Sequence, residues 1–211
     1  MFNKITRHHL KIFLEKYKTD ATVLDVGSGG SSYHTLFPNR LTVDIDPGRQ
    51  PDIVADAHQL PFPDGSFERV LCTEMLEHVL HPQVVADELL RVLKPGGLLI
   101  LTTRFVFPLH DVPHDYWRFT KYGLRELFKA GEIVELAPET AAFSTIGVLL
   151  QRIAFQTRLR MNLLSKVGVL LLARVFNGMN FLIVQEFGDI AKRTSERDIM
   201  PSGYYLVVRK V

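Results

Sequence analysis

A strand that breaks on glycine, followed by a second strand that ends on a carboxylate, constrains this chain more than any other feature. Val23-Leu24-Asp25-Val26 runs into Gly27-Ser28-Gly29-Gly30-Ser31-Ser32, and Leu41-Thr42-Val43 leads to Asp44, 19 residues after Asp25. In an open α/β sheet such a pair places a nucleoside: the glycines let the backbone approach the ligand, and the acid accepts hydrogen bonds from ribose hydroxyls. Gly27 and Gly29 match the first two glycines of the dinucleotide fingerprint, whereas the third falls on Ser32. No Gly-Lys-Ser/Thr follows, which argues against a phosphate-binding P-loop. A strand-to-helix corner can need glycine only for its positive φ. Asp44 tips the balance toward a ligand.

Strands and helices alternate along the chain. Strands are predicted at 22–27, 41–45, 52–55, 67–73, 97–103, 132–137 and 204–208, and helices near the N-terminus, at 82–93 and at 120–130. Ile5, Ile12, Phe13 and Tyr17 fit one face of the opening helix. The turn Lys94-Pro95-Gly96-Gly97 is expected to stop a helix before the next strand. Leu98-Leu99-Ile100-Leu101 is apolar throughout, the mark of a strand covered on both faces. These features predict an α/β, doubly wound, mostly parallel sheet.

The 211 residues suit a single domain, and the charge of +2 is too small to call for nucleic acid. The lone cysteine, Cys72, lies in an apolar run and is expected to be a buried, inert thiol. No Cys/His spacing of metal type occurs, so no metal is expected. The N-terminal residues are broken by Lys4, Arg7 and Lys11 and do not read as a secretion signal. No run of about 18 apolar, uncharged residues marks a membrane span, and a cytoplasmic location is expected.

Four segments stand out together: Leu24-Asp25-Val26-Gly27-Ser28-Gly29, Val43-Asp44-Ile45-Asp46, the run from Asp56-Ala57-His58 to Gly65-Ser66-Phe67, and Glu77-His78-Val79 with Leu90-Arg91-Val92-Leu93-Lys94-Pro95-Gly96-Gly97. In these the chain resembles the class I, Rossmann-like S-adenosylmethionine-dependent methyltransferases of the small single-domain type. The resemblance covers roughly residues 20–137 and the last strand. It implies a seven-stranded sheet with the last strand antiparallel, and S-adenosyl-L-methionine as cofactor. It implies cofactor contacts at Asp25, Gly27, Gly29, Asp44, Ile45, Asp56, Ala57, Thr73 and Glu74. Asp25 would organise the turn through water or backbone amides, Asp44 would hold the ribose, and Asp56 with the Ala57 amide would hold the adenine. Thr73 and Glu74 would line the methionine portion. Asp46 reads instead as a cap for the turn at Pro47-Gly48. Ser31 stands where the family often has glycine.

Methyl transfer from a sulfonium asks mainly for alignment, which can supply up to about 7–11 kcal/mol. A base is needed only for a hydroxyl acceptor. The loop after the strand at 97–103 belongs to the ligand-binding rim and holds the candidate catalytic residues His110, His114 and Asp115, with Tyr116, Trp117 and Arg118 beside them. His114 next to Asp115 would form a base if their side chains meet. Arg118 would otherwise bind an acidic group, and Trp117 and Phe119 would otherwise only dock the loop. His78 is a further base candidate, read mainly as structural.

Residues 140–203 are expected to form a helical, basic and apolar insertion before the final strand. From Thr140 to Gln185 there is no acidic residue, yet Arg152, Arg158, Arg160, Lys166 and Arg174 are present. Such a segment suits a lid, an anionic membrane surface or a homo-oligomer interface through 140–190. The leading expectation is an enzyme methylating an O or N atom of a small-molecule, glycoconjugate or lipid-linked acceptor. The alternative is a membrane-surface or oligomer-forming protein whose cofactor fold is not catalytic. A nicotinamide-dependent oxidoreductase is disfavoured by Ser32.

Overall fold

The apolar runs pair into one sheet of seven strands in the order β3-β2-β1-β4-β5-β9-β6. They are β1 (Val23–Val26), β2 (Arg40–Asp44), β3 (Ile53–Val54), β4 (Phe67–Thr73), β5 (Leu93–Arg104), β6 (Gly131–Pro138) and β9 (Gly203–Lys210). The sheet is mostly parallel with one antiparallel strand, the last, and helices flank it. The computed structural model describes residues 4–30 and 33–211; Ser31 and Ser32, with the expectations placed on them, lie outside the described residues. β1 pairs in parallel with β2 on one side and β4 on the other, and every residue of β1 is buried. Val70, Leu71, Cys72, Leu99, Ile100 and Leu101 are likewise inaccessible, which explains why β4 and β5 read as continuous apolar runs. Burial pushes the Cys72 thiol up, as expected of an inert cysteine.

The structure corrects three local expectations. β5 begins at Leu93, before the Lys94–Gly97 turn: Phe67 pairs with Leu93 and Arg69 with Leu98, so the turn is a bulge inside the strand. Gly96, at φ +76°, makes that bulge. In α1 (Ile5–Glu15), Leu10, Phe13 and Leu14 are buried, but Ile12 is exposed. The insertion is not wholly helical. After α4 (Ala142–Gln156) and α5 (Leu163–Asn177) it forms an antiparallel hairpin of β7 (Glu186–Asp189) and β8 (Thr194–Glu196).

The backbone divides into two compact units. The first comprises the described part of Met1–Ile12, Phe105–Pro108 and Pro138–Gly203; the second comprises Phe13–Arg104, Leu109–Ala137 and Tyr204–Val211. In the first unit α4 and α5 pack closely because Gly147 has no side chain: a Cβ there would stand 2.7 Å from the Ala173 carbonyl oxygen. A buried polar chain joins Thr145, Thr140, Ser202 and Glu139, each link 2.6–2.8 Å long. In the second unit α2 (Pro82–Arg91) and α3 (Lys121–Leu127) accompany the sheet. Thr120 caps α3 by accepting from the Gly123 amide at 3.1 Å. No helix among the described residues is long and apolar enough to cross a membrane.

Candidate functional site

The corner after β1 is built by its glycines. Gly27 and Gly29 hold φ of +70° and +56°, and a Cβ on Gly27 would come within 2.2 Å of Met75 Cγ. A side chain at position 27 is thus excluded both by backbone strain and by contact. The Gly27 and Ser28 amides donate to the Val43 carbonyl at 2.8 and 3.2 Å, carrying the β1–β2 ladder into the turn. The Gly29 amide then donates to Asp44 Oδ2 at 2.8 Å, while Asp44 Oδ1 accepts from the Asp46 amide at 3.0 Å. A carboxylate has about four lone-pair sites. Two amides leave capacity for a pair of vicinal hydroxyls. Ile45, beside it, is 66% exposed, an apolar surface at the strand end. Asp46 caps the following turn through the Gly48 amide at 2.8 Å, as read from the sequence.

Asp25 stands apart from its expected task. Its side chain is fully buried, and its Oδ2 accepts from Arg40 Nη1 at 2.7 Å instead of holding the turn amides. Burial pushes its carboxyl up to about 7, against the pull of the Arg40 charge, and Asp44 adds to the rise. Arg40 and Tyr33 escaped the sequence reading. The Arg40 guanidinium lies 5.6 Å from the Tyr33 ring centroid, and the Tyr33 hydroxyl is 3.3 Å from Thr73 Oγ1. The signal available was a charged residue opening the strand that leads to Asp44.

At the neighbouring strand end, Asp56 Oδ1 accepts from the His58 amide at 2.9 Å and meets His58 Nδ1 at 2.6 Å. The His58 amide bond outweighs desolvation and holds this carboxyl below its usual range. The segment from Asp56 to Phe67 is clamped by Arg91, which donates to the Leu60 and Phe62 carbonyls and pairs with Asp64 and Glu88. Glu88 in turn accepts from the Leu60 amide. Two of the segments that carried the resemblance therefore support each other physically, placing Ala57 on a held loop.

After β4, Glu74 takes a positive φ of 53°. Its amide is fixed by the Thr102 carbonyl at 2.9 Å, and its carboxylate pairs with the buried Arg104. The 3-10 turn Leu76–His78 follows, and the loop holding His114 to Trp117 docks on it. The Glu77 carbonyl receives the Tyr116 and Trp117 amides, Trp117 Nε1 donates to the Val79 carbonyl, and His78 Nδ1 meets the His114 carbonyl at 2.6 Å. Trp117 thus docks the loop.

His114 and Asp115 do not form a pair. His114 Nδ1 bonds the Tyr116 hydroxyl at 2.9 Å, whereas Asp115 accepts the His110 amide at 2.9 Å and stands 3.3 Å from His110 Nδ1. The turn Asp111–His114, closed by the His114 amide on the Asp111 carbonyl at 3.2 Å, brings Asp115 back to His110, so the contact forms across the loop. Arg118 binds both oxygens of Asp115, at 2.6 and 2.7 Å, and is engaged there rather than directed to a substrate acid. Burial alone would raise Asp115; the Arg118 bonds, the His110 amide and both charges bring it down to about 2. Burial lowers the His110 pKa despite Asp115, so this imidazole is neutral at pH 7.

Residues 24–101 match the family model of a methyltransferase domain. The chain is 36% identical to 2-methyl-6-phytyl-1,4-hydroquinone methyltransferase of Synechocystis sp., over 49% of this chain and 38% of that relative, so it spans well under half of that protein's length. A solved structure of a putative sarcosine dimethylglycine methyltransferase from Galdieria sulphuraria matches with a TM-score of 0.61 at 12% identity, covering 97% of this chain and 84% of that one. The [4+2]-cyclase SpnF matches with a TM-score of 0.60 at 18% identity, covering 97% of this chain and 81% of its own. Likeness at these identities is one of fold, and a cyclase on the same frame separates fold from reaction.

Proposed function

We propose that this chain is a class I S-adenosylmethionine-dependent methyltransferase, a reading supported by its fold and by the methyltransferase domain matched over residues 24–101, and that it transfers a methyl group to an oxygen or nitrogen of a small-molecule, glycoconjugate or lipid-linked acceptor. The observation that carries this reading is the Gly27–Gly29 corner closed onto the Asp44 carboxylate. When bound, S-adenosylmethionine supplies a methyl group already activated on a sulfonium.

The residues fit that cofactor. Asp44 accepts the ribose hydroxyls with the lone pairs its two amides leave, and Ile45 offers an apolar face beside the base. Asp56, kept ionised by His58, accepts from the adenine amino group, and the Ala57 amide donates to the ring. Thr73 and Glu74 line the methionine end. On the acceptor side His110 is the proton acceptor, held by Asp115 in the tautomer with its lone pair on Nε2. His114 serves the loop rather than the proton.

The name of the Synechocystis relative joins a hydroquinone ring to a phytyl chain, which supports a lipid-linked acceptor here. A specific feature of the first unit favours the same class. On α5, Leu163, Leu164, Val167, Leu171, Leu172 and Val175 are all exposed on a helix that buries only Leu170 and Ala173. The exposed side chains of Arg158 and Arg160 precede that helix, and the absence of acid from Thr140 to Gln185 suits an anionic bilayer surface. Transfer from methyl-labelled S-adenosylmethionine to a panel of isoprenoid quinols, against water-soluble phenols, tests the acceptor class. Label in the quinols alone supports it; label in the soluble phenols alone, or in neither, contradicts it.

A further inference from the structure

The turn after β4 and the loop docked on it gather three side chains of metal-ligand type. Glu77, His78 and His110 each offer one atom, and these atoms lie within 4.8 Å of one another. Glu77 is fully buried; its Oε2 accepts from Thr103 Oγ1 at 2.7 Å, while its Oε1 has no hydrogen-bond partner among the described residues and lies 3.9 Å from His110 Nε2. A buried carboxylate oxygen left without a donor is costly unless something positive meets it.

The surroundings of both imidazoles are those of ligands. A metal-bound histidine usually gives its other ring N–H to a carbonyl or a carboxylate, which fixes the tautomer and the ring plane. His78 has the His114 carbonyl at Nδ1, 2.6 Å away, and His110 has Asp115 at Nδ1, 3.3 Å away. Both rings thereby keep Nε2 as the ligating atom, and their centroids stand 4.7 Å apart. Beside this point Glu74 pairs with Arg104 and Asp115 with Arg118.

We propose that Glu77, His78 and His110 bind a divalent first-row transition metal, of the zinc or manganese class, at the acceptor rim. Two imidazoles and one carboxylate suit these borderline cations and leave positions open. Ligand atoms held at roughly 2.0–2.2 Å from such an ion stand about 3–3.5 Å apart, so the three atoms, now within 4.8 Å of one another, would draw together on binding. The open positions would take oxygen donors of the acceptor and lower the pKa of its hydroxyl. That role rests on the methyltransferase reading and makes His110 a ligand instead of the proton acceptor; cation binding itself does not depend on it.

The test uses the full chain, stripped with chelator and titrated with Zn2+ and with Mn2+ by calorimetry, in the absence of S-adenosylmethionine. Cofactor binding is measured separately on the metal-free protein, so either reading can fail alone. One equivalent of cation is expected, weakened at least about tenfold in His78→Gln and in Glu77→Gln and unchanged in His81→Gln. Because Glu77→Gln alters a buried site, folding is checked by circular dichroism and His78→Gln, at a partly accessible residue, carries the decision. Failure of folded wild type to bind either cation, or equal binding in His78→Gln, overturns the proposal.

Discussion

The Gly29 amide donates to Asp44 Oδ2 at 2.8 Å, so the acid at the end of one strand holds the glycine turn at the end of the next. The carboxylate is therefore oriented before any ligand arrives, and little side-chain freedom is left to lose on binding. The same contact ties the two sequence features that first marked the chain into one piece of backbone and side chain.

Gly27→Ala places a methyl group at φ +70° and within 2.2 Å of Met75 Cγ. Strain and contact together are expected to cost about 2–4 kcal/mol, read from urea unfolding. Gly30→Ala, with nothing within 4 Å of the added carbon, is the matched comparison and should change stability by less than about 0.5 kcal/mol. Equal effects at the two positions would remove the close-approach argument.

Arg91 ties the Leu60 and Phe62 carbonyls to Glu88 and Asp64. Arg91→Ala takes away the donor of the Phe62 carbonyl and one donor each from the Leu60 carbonyl and Glu88, and should destabilise the fold by about 2–3 kcal/mol. Hydrogen exchange should then quicken between Asp56 and Phe67. Unchanged exchange there would mean that the loop holds its shape without the clamp.

Asp115 carries a pH signature. Its carboxyl is lowered to about 2 in the folded chain, below its unfolded value, so its contribution is present at neutral pH and is lost as pH falls from about 4 toward 2. Asp115→Asn should therefore be clearly less stable than wild type at pH 7, and the gap should narrow by pH 3. A gap that stays constant across that range would show that the Arg118 pair contributes through packing and not through charge.

The cofactor half of the fold was legible because its signals are local: apolar strands, glycines that need positive φ, and acids at strand ends. Strand β4 lies at the bounds its apolar run predicts, and Asp46 caps the Pro47-Gly48 turn as its sequence position predicts. The His110–Asp115 contact was hidden because the loop folds back over five residues, while the pair adjacent in sequence does not meet. The Asp25–Arg40 pair was hidden for a related reason: parallel strands bring together side chains whose meeting no local spacing records. The β7–β8 hairpin, short, polar and without alternating apolar residues, offered no strand pattern to read.

For the apolar helix, vesicle sedimentation separates its occupants. Wild type should bind vesicles containing anionic lipid, and the Arg158→Glu, Arg160→Glu double variant should bind them more weakly, with salt reducing wild-type binding as well. Leu171→Ser, at an exposed position, should weaken binding without affecting the urea midpoint. Equal sedimentation of wild type and the charge-reversed variant, with a dimer that Leu171→Ser dissociates, would assign the face to a second copy of the chain.

Calorimetric titration of S-adenosylmethionine into wild type and into folded Asp44→Ala tests the central claim most directly. Losing charge-assisted bonds to both ribose hydroxyls, each worth about 1.5–3 kcal/mol, should weaken a micromolar site by at least about a hundredfold. Binding by wild type with that loss in the variant is the expected result. Well-folded wild type that takes up no S-adenosylmethionine, or a variant that binds it equally well, would contradict the account.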